Sequence, residues 1–66
     1  MTSVGQDFPV QQERVRDLIE RYKSIGPAGK LAILYMRAAL KKADEAAISG
    51  DPVAQLRSYQ ELRDFE

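Results

Sequence analysis

The sequence predicts an all-α fold, a small three-helix domain with helices at about residues 9–25, 28–48 and 52–65. Three observations predict it. Apolar side chains recur at intervals of three and four through most of the chain. Two stop-and-start junctions, Gly26-Pro27 and Gly50-Asp51-Pro52, divide it. In the middle stretch Ala32, Met36, Ala39, Ala43 and Ala46 form a seam with the a/d rhythm of a helix packed lengthwise against another. Small residues on such a seam let two backbones approach closely.

Residues 1–7 are small or polar without periodicity, and read as a flexible leader to a single domain at residues 8–66. The first helix is expected to open at Pro9, whose missing N–H costs nothing in a first turn, with Asp7 or Phe8 near the cap. Val15, Leu18, Ile19, Tyr22 and Ile25 then share one face, an arc of about 120°. Phe8, just before the helix, is expected to fold onto the same side.

Gly26 supplies the conformational freedom that ends this helix, and Pro27 opens the next. The first half of the second helix, from Leu31 to Met36, is apolar nearly all round, which requires more than one packing neighbour. Its second half narrows to the alanine face, with Arg37, Lys41, Asp44 and Glu45 pointing away. Gly50 ends it, Asp51 is a strong cap and Pro52 fits the first position of the third helix. There Val53, Leu56, Tyr59 and Leu62 recur every third residue, a stripe that drifts about 60° per step. Phe65 continues the drift and is expected to leave the core. The expected core is Val15, Leu18, Ile19, Tyr22, Ile33, Met36, Leu40, Val53, Leu56 and Tyr59.

The 66 residues contain no Cys and no His, which removes disulfides, thiolate zinc sites and the usual general base near neutral pH. No cofactor or metal site is expected. Ten basic and ten acidic residues balance, which argues against a strong sequence-independent grip on nucleic acid and mildly favours self-association. No apolar run approaches the roughly 20 residues of a membrane span, and the start of the chain lacks signal-peptide character, so a cytoplasmic protein is expected.

Candidate chemistry is sparse. Gly26-Pro27-Ala28-Gly29-Lys30 superficially resembles a phosphate loop, but two residues separate its glycines where four are needed, and Leu31 follows the lysine. A tight inter-helix turn is the better reading. Asp44-Glu45 and Glu61 with Asp64 read as solvated helix surface, and Ser24, Ser49 and Ser58 have no histidine to activate them. Arg14, Arg16, Arg21, Lys23, Lys41 and Lys42 are the candidates for a nucleic-acid contact. Against that reading, the second helix begins too apolar to face bases, and the third carries Asp51, Glu61, Asp64 and Glu66.

The stretch Ile19-Glu20-Arg21-Tyr22-Lys23-Ser24-Ile25-Gly26-Pro27-Ala28-Gly29, followed by an Ala-rich helix, Ala43-Asp44-Glu45-Ala46-Ala47, Gly50-Asp51 and Tyr59-Gln60-Glu61-Leu62, resembles short helical proteins of temperate phages and prophages of proteobacteria. The resemblance spans roughly residues 10–66 and carries no catalytic residues. It implies an accessory protein that binds and modulates another protein.

The expected function is a non-enzymatic protein–protein interaction module whose partner is another protein or a second copy of itself. Leu31, Leu34, Tyr35 and Phe65 are the expected partner face, since aromatic and aliphatic anchors dominate interfaces. The alternative is a small helical DNA-binding or transcription-modulating protein.

Overall fold

The computed structural model describes residues 3–66, which form three helices: α1 (Val4–Ile25), α2 (Lys30–Ser49) and α3 (Pro52–Asp64). A single 3-10 turn, Pro27–Gly29, links α1 to α2. The first two residues of the expected leader lie outside the described ones.

The leader gives way to helix from Val4. Ser3 and Gln6 form a capping box, in which the Gln6 N–H donates to Ser3 Oγ (3.2 Å) and the Ser3 N–H donates to Gln6 Oε1 (3.4 Å). Two otherwise orphaned donors are thereby satisfied. Pro9 does not open α1 but lies inside it. An interior proline forfeits one hydrogen bond and crowds the preceding turn, at a cost of about 3 kcal/mol. Long-range contacts oppose that cost. Phe8 is buried and stacks on Tyr59 of α3, with ring centroids 6.5 Å apart. The Tyr59 hydroxyl donates to Asp7 Oδ2 at 2.6 Å, and Gln11 donates to the same oxygen at 3.1 Å.

Each helix packs on both others. The core is Phe8, Val15, Leu18 and Ile19 from α1, Ile33, Met36, Ala39, Leu40 and Ala43 from α2, and Leu62 from α3. Ala46 is buried as well, and Ala32 packs against the core half-buried. The small-residue face of α2 is thus the face turned to its two neighbours. Tyr22 and Tyr59, expected in the core, are half-buried at its edge. Ile25, expected on the buried face of the first helix, is exposed beside the turn.

The junctions follow their residue chemistry. Gly26 takes a φ of 94° and Gly50 the left-handed helical region, φ 71° and ψ 8°. Asp51 caps α3 by accepting from the Val53 N–H at 3.0 Å, with Pro52 in the first turn. Gly29 serves a different need. Its own φ and ψ, −86° and −7°, suit any residue, but a Cβ there would lie 2.5 Å from the Tyr22 carbonyl oxygen. The start of α2 is laid directly on the backbone of α1.

On α3 the structure reverses the expected direction of the drifting stripe. Leu62 is fully buried and Phe65 packs against the core, whereas Val53 is 59% and Leu56 45% exposed. A stripe that rotates as it rises can face the core at one end only. Arg14 decides which end. Its Nη1–H donates to the Phe65 carbonyl (2.8 Å), its Nη2–H to the Leu62 carbonyl (2.7 Å) and its Nε–H to Gln11 Oε1 (2.8 Å). The guanidinium fork of α1 thus joins the Phe65 N–H, which donates to the Leu62 carbonyl at 3.4 Å, in capping the end of α3, and places positive charge at the negative end of its dipole. Phe65, at the C-cap in extended conformation, is held inward and drops out of the expected partner face.

Candidate interaction surface

With one face of α2 committed to the core, another side is apolar without a neighbour. Leu31, Leu34 and Tyr35 are each 62% exposed, and Ala38 continues the row. At 100° per residue these four span an arc of about 100°, centred about 120° around the helix from the Met36-Ala39-Ala43 seam. A single exposed leucine is ordinary, but a contiguous helical row of apolar side chains is the pattern by which helices dock on partners. Of the four residues expected to form a partner face, three lie together here; Phe65 is elsewhere.

One edge of this row borders a groove of about 520 Å³, walled by Ile33 and Leu34 of α2, by Gly26 and Pro27 of the turn, and by Lys23, Lys30 and Arg37. The groove exists because Gly29 draws the start of α2 onto α1, leaving the turn to form its end wall. Lys23 is engaged with Glu20 at 3.0 Å. Among the described residues, Lys30 and Arg37 make no ion pair. They stand seven residues apart on one helix, about 10 Å along its axis. Sequence reading missed this feature because its walls come from three separate segments; only the i, i+7 spacing of Lys30 and Arg37 foreshadowed it.

Several of the cations weighed for a nucleic-acid contact are already spoken for. Arg14 caps α3. Arg16 lies 3.6 Å from Glu13 and 3.8 Å from Asp44, which also accepts from Gln12 at 3.0 Å. Arg21, Lys41 and Lys42 remain exposed. No helix of the described residues is long and apolar enough to cross a membrane, and among them no cluster of three or more carboxylates is placed to hold a metal ion.

The perturbed titrating groups lie away from the groove, at the α1–α3 contact. Hydrogen bonds from Tyr59 and Gln11, aided by the Arg63 charge, hold the Asp7 carboxyl below its usual range against the opposing effect of desolvation. The Asp7 hydrogen bond, with desolvation, raises the Tyr59 phenol above its own. Arg63 lies over the Tyr59 ring, 5.6 Å from its centroid. This is a structural clasp with a defined pH signature. Asp7's contribution to stability is complete above the ordinary carboxylate pKa and is lost as pH falls through its lowered value; Tyr59's is complete below the ordinary phenol pKa and is lost as pH rises through its raised value. Tyr59→Phe should therefore flatten both the acid and the alkaline edges of the stability–pH profile, as read by thermal melts across pH, while leaving the helix content unchanged.

Comparison with protein-family models, curated proteins and solved structures finds no match for this chain.

Proposed function

We propose that this chain is a non-enzymatic protein–protein interaction module that docks its partner on the outer face of α2. The observation that carries the proposal is the exposed row of Leu31, Leu34 and Tyr35 on the side of α2 that the fold does not use. Burying such side chains against a partner releases hydrophobic free energy at roughly 25 cal/mol per Å² of apolar surface, before the costs of association. Helical anchors at i, i+3 and i+4 suit a helix or a groove on the other protein. The engagement of Arg14 at the end of α3 and of Arg16 with surface carboxylates supports this reading over a nucleic-acid one. An accessory role, in which occupying a surface modulates the partner, rests on the resemblance to small phage and prophage proteins.

Leu34→Asp tests the proposal. Wild-type and variant chains are immobilised in an extract of the source cells, and both are sedimented with and without duplex DNA. The expected outcome is a protein retained by wild type and lost with the variant, an unchanged circular dichroism spectrum, and sedimentation indifferent to DNA. Salt-sensitive co-sedimentation with DNA would favour the nucleic-acid reading instead. Loss of helicity in the variant would place Leu34 in the core.

A further inference from the structure

Between Lys30 and Lys41, one edge of the proposed docking face carries positive charge alone. On α2, Lys30, Arg37 and Lys41 fall within about 40° of one another, along the flank of the Leu31-Leu34-Tyr35 row that opens into the groove. Inside the groove, Lys23 already has Glu20 within 3.0 Å. Lys30 and Arg37 have no carboxylate partner among the described residues. The carboxylates of α2, Asp44 and Glu45, lie about two turns beyond Arg37 and one beyond Lys41, and Asp44 is occupied by Gln12 and Arg16.

The same edge decides between a foreign partner and a second copy. An antiparallel pairing of two α2 rows sets the Lys30-Arg37-Lys41 edge against its own duplicate. A parallel pairing sets it across from the alanine side of the row, Ala46, Ala39 and Ala32, which carries no carboxylate. Neither arrangement supplies the edge with an opposite charge, and the antiparallel one sets like charges against each other, which is disfavoured.

We infer that the α2 face takes an acidic amphipathic helix of another protein, its apolar side on Leu31, Leu34 and Tyr35, one apolar side chain in the groove against Ile33 and Leu34, and its carboxylates on Lys30 and Arg37. The roughly 10 Å between those two cations matches carboxylates seven residues apart on the incoming helix. Arg37 offers a planar fork suited to a carboxylate, and Lys30 a mobile point charge. The contacts are exposed, so they set preference and weaken with salt, while the apolar row supplies most of the affinity. This inference rests on the docking face proposed above and names the partner's chemistry.

The test uses two fluorescein-labelled 18-residue helical peptides that share apolar residues at i, i+3, i+4 and i+7. One carries Glu at every flanking position and the other Lys. Fluorescence anisotropy against the full chain should show the Glu peptide binding at least about tenfold tighter than the Lys peptide. Amide shift changes should be concentrated between Lys23 and Ala38. The double variant Lys30→Glu/Arg37→Glu should invert the preference while leaving the helix content unchanged. Absence of Glu-peptide binding, equal binding of the two peptides, or shift changes confined to α3 would overturn the inference. Equal binding that Leu34→Asp abolishes for both would overturn only the acidic partner and leave the docking face standing. A Glu-peptide affinity unmoved by Leu34→Asp would overturn the docking face itself.

Discussion

Gly29→Ala is expected to destabilise the fold by about 2–3 kcal/mol, the range for forcing an atom into a packed site. Replacing a glycine by alanine within a helical segment ordinarily stabilises by up to about 1 kcal/mol, because alanine loses less backbone freedom on folding. The φ and ψ of Gly29 are open to alanine, so dihedral strain plays no part. Space decides the sign. The added Cβ would meet the Tyr22 carbonyl oxygen at 2.5 Å, a backbone atom that cannot rotate aside. Relief requires α2 to lift from α1, which loosens Ile33 and Met36 against Leu18 and Ile19 and distorts the groove walled by Pro27 and Lys30. In a 66-residue domain, whose whole stability is on the order of 3–10 kcal/mol, the loss is a large fraction. The melting temperature should fall by roughly 10–20 °C. Gly50→Ala is the informative contrast, because nothing lies within 4 Å of the Cβ it would add and only its positive φ opposes the change. Its cost should be about 1 kcal/mol. A Gly29→Ala variant more stable than wild type would mean that α2 does not lie on the α1 backbone.

Leu62→Ala is expected to cost about 3–5 kcal/mol, and to do so at the end of α3 that periodicity alone assigns to solvent. The side chain is fully buried, so truncation removes transfer free energy and leaves a cavity. The same truncation at Val53 or Leu56 should cost less than about 1 kcal/mol, since both are about half exposed or more. The ordering of these three variants in urea denaturation tests the orientation of α3. Equal or greater losses at Val53 and Leu56 would restore the opposite orientation, with the start of α3 facing the core.

What the sequence makes legible here is local. Gly-Pro and Gly-Asp-Pro announce both junctions because backbone freedom, fixed φ and side-chain capping act within a few residues. The alanine seam announces the inner face of α2, and the wheel sets Leu31, Leu34 and Tyr35 toward another side. The Ser-x-x-Gln of residues 3–6 is a readable capping signature, but Pro9 offers a competing start, and the competition is settled by Phe8 and Asp7 reaching Tyr59, more than fifty residues away. The drifting row on α3 has no intrinsic direction; Arg14 supplies one through contacts 48 and 51 residues distant. The groove is likewise a product of tertiary approach at Gly29, where the sequence shows only a turn.

The proposed docking role requires the outer row of α2 to be free of the fold. Equilibrium unfolding of the triple variant Leu31→Gln/Leu34→Gln/Tyr35→Gln tests it most directly, because glutamine matches leucine closely in helix propensity and removes the apolar surface. A cooperative transition is expected, with a total loss below about 1.5 kcal/mol, in keeping with three largely exposed positions. A chain that is unfolded in buffer, or a loss of more than about 4 kcal/mol on the scale of buried leucine truncations, would put the row in the core and contradict it.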